Sequence, residues 1–287
     1  MRSFIGQQPL MIDWPPPLAK ELRRRNVILV LGAGCSANTT SSSGLTMPTW
    51  QEFLQRGVAR LGSHGTKHIK SAINASDFLL ACELLKRSLD DDWEAFIHEQ
   101  FAATTGTQTK LHELPFKLNQ RIVFTTNIDQ IYERYVSTET DNNFNTKRYY
   151  DSDASFFLRK QDYYLIKLHG CISTPGQIIF SQGEYAAART KYSHFYETLS
   201  AAILSKTLLF IGCGFNDPDM RILLENQRFG FPGQAPHYFI SDSKLHRDTI
   251  KIYEETRNLR VIKYDPSNNH CELIESLENL IREVDTP

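Results

Sequence analysis

Cysteine is scarce in this chain and badly placed for metal or disulfide work. Cys35, Cys82, Cys171, Cys213 and Cys271 are five in number, scattered, and no two form a CxxC pair. That excludes a zinc site of the CxxC…CxxC kind and fits reduced thiols in a cytoplasmic protein. An excess of charge of either sign is also missing. The 32 basic and 33 acidic residues leave a formal net charge of −1. No strong overall field therefore draws the chain to nucleic acid or to a membrane surface. Apolar runs do not exceed strand length, so no transmembrane helix is expected. The first residues, MRSFIGQQPLMIDW, hold one Arg and no sustained apolar stretch, so they are not expected to act as a signal peptide. Internal repeats and long low-complexity segments are absent.

What is present reads as an ordinary globular chain. Its 287 residues, 41% hydrophobic and 23% charged, suit one large domain or two small ones with a substantial core. Residues 1–17 end in Pro15-Pro16-Pro17, which predicts a non-helical, extended arm. Within that arm Phe4, Leu10, Ile12 and Trp14 offer apolar contacts to the body or to a partner. A helix is predicted from Leu18 to Arg25. Apolar runs follow at 27–31, 121–126, 163–170, 206–214, 237–241 and 259–264. Continuous runs of this kind suit strands covered on both faces, as in a parallel sheet. Helical stretches fall between several of them, at Asp129–Val136, Gly183–Leu204 and Asp219–Gln227. Strands alternating with helices predict a doubly wound α/β sheet.

One segment breaks the alternation. From Trp50 to Phe116 the spacing of apolar residues is helical throughout, with Ser76 and Asp92 as expected N-caps. This predicts a helical insertion over 49–116, reached through a flexible loop at Ser41-Ser42-Ser43-Gly44. The Rossmann-like core is then expected over 18–48 and 117–287.

The first strand runs into Gly32-Ala33-Gly34-Cys35-Ser36-Ala37, which fits G-x-G-x-x-A. Glycine at both places permits a tight turn and lets a phosphate approach the amides without meeting a Cβ. A dinucleotide pyrophosphate is a sensible guest, although a bare turn explains the same residues. A dehydrogenase of the usual kind would place an acid at the end of the second strand, about 20 residues on. Glu52 has that count but sits in PTWQEFL, which reads as helix. An ordinary Rossmann dehydrogenase is therefore disfavoured.

Three more strands stop in polar clusters. Thr125-Thr126-Asn127-Ile128-Asp129 either caps the next helix or projects an amide and a carboxylate into a cleft. Leu168-His169-Gly170 holds a histidine that is either structural or a general base. Gly212-Cys213-Gly214-Phe215-Asn216-Asp217-Pro218 again allows close backbone approach, while Asp217-Pro218 is good helix-start chemistry. Ligands in open α/β sheets bind beyond the carboxyl ends of the strands, so the four clusters are expected on one edge.

In the order GAGxS, TxNxD, LHG and GxGxxD, the chain resembles the sirtuin family, over roughly 26–265. It is most similar to the zinc-free, sirtuin-like proteins of bacteria, many of which destroy NAD in antiphage defence. The resemblance implies a sirtuin-type Rossmann-like parallel sheet with helices on both faces, the helical insertion standing in place of the zinc module. Gly32, Ala33 and Gly34 match the turn that cradles the NAD pyrophosphate. Ser36 matches the serine of that motif, touching phosphate or the nicotinamide-side ribose. Asn127 and Asp129 match the family's Asn-x-Asp, with Asn127 orienting the ribose or a water and Asp129 holding the carboxamide. Thr126 stands beside them in the cofactor site, where deacylases carry Gln. His169 matches the catalytic histidine. Gly212 and Gly214 match the later glycine motif near the adenosine half, and Asp217 follows them.

The missing cysteines, Thr126, and Gly212-Cys213-Gly214 in place of Gly-Thr-Ser put protein deacylation in doubt but leave NAD binding. The resemblance thus implies NAD+ hydrolysis to nicotinamide and ADP-ribose, with NAD as substrate and no metal. His169, neutral near pH 7, would take a proton from a ribose hydroxyl or water. His98, His112, His194, His237 and His270 receive no role. Rival readings are a deacylase or ADP-ribosyltransferase of the same fold, and a non-catalytic NAD or ADP-ribose sensor. The implied context is a homo-oligomer gated by a separate partner, such as a HerA-type DNA-translocating ATPase or an Argonaute.

Overall fold

The computed structural model describes residues 11–62, 65–102, 108–214 and 217–285. Phe4, Leu10, Phe215 and Asn216 lie outside them. Seven strands form one parallel sheet: β1 (Val27–Leu31), β2 (Ile122–Thr125), β3 (Phe144–Arg148), β4 (Tyr163–Lys167), β5 (Thr207–Ile211), β6 (His237–Asp242) and β7 (Leu259–Tyr264). Their order is β3-β4-β2-β1-β5-β6-β7. The turn of direction therefore falls at the centre, where β1 lies between β2 and β5. In doubly wound sheets this is where ligands enter. All five residues of β1 are buried, because helices cover both of its faces.

The helices in chain order are α1 (Pro16–Arg23), α2 (Trp50–Leu61), α3 (Lys67–Asn74), α4 (Phe78–Leu89), α5 (Trp93–Phe101), α6 (Lys110–Lys117), α7 (Ile131–Glu139), α8 (Gln182–Lys191), α9 (Ser193–Ser205), α10 (Pro218–Gly230), α11 (Arg247–Arg257) and α12 (Ser267–Asp285). Alternate residues of each strand feed the two faces. Leu29, Leu31, Val123 and Leu165 pack with α1, α6, α7 and α12, while Ile28, Val30, Phe124 and Ile166 pack with α8, α9 and α10. Among the described residues no helix is long and apolar enough to cross a membrane.

Helices α2–α5 hold a core of their own. Phe53 lies at its centre, 5.1 Å from Phe96, 5.3 Å from Phe101 and 5.3 Å from Phe180 by ring centroids. Ile128, Cys171, Ile172 and Ile178, all from loops after strands, complete it. These helices therefore sit over the carboxyl edge of the sheet. Helix α6 behaves differently, since Leu111 and Leu114 join the sheet core. The segment 49–116 thus holds two kinds of packing.

Several local expectations change. Helix α1 starts at Pro16, so two of the three prolines are helical; proline fits a first turn because its missing N–H has no partner there anyway. The first turn of α4 is capped by Asp77, which accepts from Leu80 N–H at 3.1 Å, and not by Ser76, whose φ of +59° takes it out of the helix. Asp92 holds the N-cap place of α5 without a side-chain bond. The predicted single helix over Gly183–Leu204 is two, broken at Tyr192, whose ring packs edge-on to Tyr149 at 5.1 Å. Glu52 closes a capping box with Thr49 at the start of α2, as its helical setting implied.

Candidate active site

Strands β4, β2, β1 and β5 are neighbours, and their carboxyl ends carry His169, Asn127 with Asp129, the Gly32 turn and the Gly212 turn respectively. The two glycine turns pack on each other. Gly32 N–H donates to Ile211 O at 3.0 Å and Gly34 N–H to Gly212 O at 2.8 Å. A Cβ on Gly32 would lie 2.6 Å from Cys213 Cα, and one on Gly34 would lie 2.9 Å from Gly212 Cα. Gly212 adopts φ +65° with Cys35 N 2.7 Å from where its Cβ would stand. Backbone contact thus requires these three glycines. Ala33, Gly34 and Gly214 are exposed, and nothing lies within 4 Å of a Cβ placed on Gly214.

Around the first turn lies a chain of hydrogen-bonded polar side chains. Asn127 Nδ2 donates to Gly32 O at 3.0 Å and to Ser36 Oγ at 3.3 Å. Ser36 Oγ donates to Asp129 Oδ2 at 3.0 Å and lies 3.2 Å from His112 Nε2. Asp129 also caps α7, its Oδ1 accepting from Ile131 N–H at 2.9 Å. One oxygen of that carboxylate thus serves the start of α7 and the other accepts from Ser36. Beneath it, buried Lys167 donates to the Asp129 backbone carbonyl and pairs with Glu133 at 3.1 Å. Burial would lower the Lys167 pKa, but the charge of Glu133, with Cys171 and Asp129, leaves it raised and the amine charged. A small cavity is lined by His112, Asn127, Asp129, Tyr132, Glu133 and Lys167, among others.

The second group is charged. His169 Nε2 lies 2.8 Å from Asp217 Oδ2 and 3.2 Å from the Tyr185 hydroxyl, which itself donates to Asp217 Oδ2 at 2.9 Å. Asp217 Oδ1 meanwhile accepts from Met220 N–H at 2.7 Å and caps α10. Burial works to lower the His169 pKa, yet the charge and hydrogen bond of Asp217, helped by Asp219 and a bond to the Thr126 backbone, raise it overall. For Asp217, burial works upward, but the His169 charge and its hydrogen-bond donors leave the carboxyl below its usual range. The buried carboxylate thus pulls the imidazole toward the charged form, against the burial that would keep it neutral. Asp217, a candidate for the cofactor site and for the helix start, thus caps α10 and faces the imidazole. Its neighbour Asp219 is pushed up by burial and by Asp217, and pairs with Arg189 at 3.1 Å.

The imidazole and the Asn127 amide do not touch. They meet through the main chain, where His169 bonds the backbone of Thr126, the residue before Asn127. Burial drives the Cys35 thiol up to about 12 and the Cys213 thiol well above its ordinary range, so neither is a thiolate nucleophile. The sequence reading missed His112, Tyr185, Lys167 and Glu133. Lys167 had a signal, a charge inside the apolar run YYLIKL. His112 had a faint one, at the place in Thr109-x-x-His112 where a capping box carries Glu or Gln. Tyr185 had none.

Residues 121–262 match the SIR2-like domain family, so the seven-stranded α/β sheet is of the sirtuin type. The chain is 27% identical over 238 residues to a protein of Acinetobacter baumannii named NAD(+) hydrolase ThsA, covering 83% of this chain and 46% of that one. Identity is 25% over 247 residues to the protein of that name from Cytobacillus dafuensis (86% and 47% covered). It is 24% over 190 residues to the one from Bacillus cereus (61% and 40%). The chain thus spans about half the length, or less, of these relatives.

Proposed function

We propose, from the premise that the chain carries a SIR2-like domain related to bacterial NAD(+) hydrolases, that it cleaves the nicotinamide–ribose bond of NAD+ to give nicotinamide and ADP-ribose. The observation that carries the reading is the gathering of Ser36, Asn127, Asp129 and His169 at adjoining strand ends. Nicotinamide leaves as a neutral molecule from a cationic ring, so no strong acid is needed to expel it. The difficulty is the positive charge that grows on the ribose, as in glycoside cleavage. Asp129 supplies a fixed negative group on the nicotinamide side and holds the carboxamide. Asn127 orients the ribose or the attacking water. His169 takes the proton from that water or from a ribose hydroxyl, with Asp217 holding the ring and stabilising the imidazolium that forms. Exposed Ala33 and Gly34 offer the turn to the pyrophosphate, with Gly32 and Ser36 behind them. Thr126, Gly212 and Gly214 line the remaining cofactor path.

In this reading the enzyme is an NAD-depleting effector of antiphage defence. Its turnover is held in check by a homo-oligomer or by a separate partner such as a HerA-type ATPase or an Argonaute. Chromatography of the products after incubation with NAD+, with His169→Ala as control, tests the chemistry. Nicotinamide and ADP-ribose in equal amounts are expected. A cyclic product would replace hydrolysis by cyclisation, and binding without turnover would make the chain a sensor. Full, constitutive turnover by the isolated chain in dilute solution would count against the gate.

A further inference from the structure

His112 stands at the start of α6 with its ring between that helix and the first glycine turn. Its Nδ1 accepts from Thr109 N–H at 3.1 Å. A nitrogen that accepts carries no hydrogen, so the neutral ring bears its proton on Nε2. Nε2 therefore donates to Ser36 Oγ across 3.2 Å. Ser36 Oγ also receives from Asn127, so both of its acceptor directions are filled and its own hydrogen goes to Asp129. The directions from Thr109 to Asp129 then follow from the N–H bond to Nδ1; a hydrogen on Nδ1 would instead face the Thr109 hydroxyl, also 3.1 Å away.

We propose that His112 is a positioning residue of the NAD site, its Nε2–H orienting the Ser36 hydroxyl and, through it, Asn127 and Asp129. The proposal rests on the NAD-hydrolase reading. The titratable groups around the ring are Glu113 on its own helix, Cys35 from the glycine turn, Asp129 after β2, Tyr132 and Glu133 on α7, and Lys167 on β4. Burial outweighs the pull of Asp129 and Glu113 and keeps the His112 pKa below the ordinary histidine value. As pH falls through that lowered value, Nδ1 gains a hydrogen and loses the bond from Thr109 N–H, so the ring keeps its Nε2–H toward Ser36 but is no longer anchored from Thr109.

The test is NAD+ turnover from acid to neutral pH, with thermal unfolding of each variant to separate lost folding from lost chemistry. His112→Gln keeps an acceptor for Thr109 and a donor for Ser36. It is expected to hold kcat within about threefold and to lose the His112 contribution to the acid limb. His112→Ala keeps neither group and is expected to lower kcat/KM on the order of 10- to 100-fold. In a Ser36→Ala background the same change should cost little more, because the two act through one bond. Nitrogen NMR of the imidazole, which needs no turnover, should report the Nε2–H tautomer. An Nδ1–H tautomer would overturn the proposal. So would a folded His112→Gln protein as inactive as His112→Ala, or fully additive losses with Ser36→Ala. A wild-type protein with the Nε2–H tautomer but no turnover would sink the hydrolase reading, and with it the role in catalysis, while leaving the bond directions intact.

Discussion

The two polar groups on the carboxyl edge are built on opposite principles. On the side of the sheet covered by α6 and α7, Ser36, Asn127, His112 and Asp129 form a chain of hydrogen bonds whose histidine is kept neutral. On the side covered by α8 and α9, His169 is held toward the charged form by Asp217, with Tyr185 across both. Both histidines are buried, so burial alone does not decide their state. The partner does: Thr109 N–H needs an acceptor from His112, whereas Asp217 needs a donor from His169. One fold thus keeps a neutral imidazole at the start of α6 and a chargeable one just after β4.

That contrast can be broken in graded steps. Replacing His169 by Ala should cost the most, lowering turnover by about 100- to 10,000-fold while the fold survives, as read by circular dichroism beside the NAD+ assay. Glu133→Gln should come next. It leaves the buried Lys167 charge, 2% exposed, without its counter-ion, and should cost about 3–5 kcal/mol in denaturant unfolding. Because Lys167 also holds the Asp129 carbonyl, activity should fall with it.

Asp217→Asn removes the charge that opposes burial at His169, so the His169 pKa should drop below the ordinary value of 6.5 and stability should fall by about 1–3 kcal/mol. Its pH signature has a definite sign. A raised His169 pKa stabilises the fold fully below 6.5 and loses that contribution as pH rises through the raised value. A lowered Asp217 pKa stabilises above 3.8 and loses that contribution as pH falls through the lowered value. Unfolding curves of the wild type should therefore weaken at both ends, and Asp217→Asn should flatten both slopes. The smallest effect is expected for Thr125→Val. It removes the hydroxyl that donates to Leu31 O and accepts from Asn127 N–H, each at 3.0 Å, and should cost about 1 kcal/mol of stability with a modest loss of activity.

The legible parts of this molecule are those where one stretch of chain decides the outcome. Strands β1, β2, β4 and β5 are apolar from end to end because both faces are covered, and their polar stops therefore stand out. Ser36, Asn127, Asp129 and His169 were found in this way. Strand β3, FNTKR, was missed because it pairs only with β4 at the sheet edge and three of its residues are half-buried and polar. Tyr185 and His112 were missed for another reason. Tyr185 stands 16 residues from His169 and 32 from Asp217, and His112 stands 76 from Ser36, so only tertiary packing brings these groups together. Asp217 was seen, but its local role as a helix cap concealed the second oxygen, which serves His169.

The interlocked glycine turns carry a dynamic consequence. Neither can lift without displacing the backbone of the other, since Gly34 N–H is bound to Gly212 O and the backbones meet where a Cβ would stand. Amide hydrogens at Gly32 and Gly34 should therefore exchange with solvent through one shared opening event, at a common rate, however differently the two loops are exposed. Fluctuation at the turn after β1 and at the turn after β5 is a single degree of freedom.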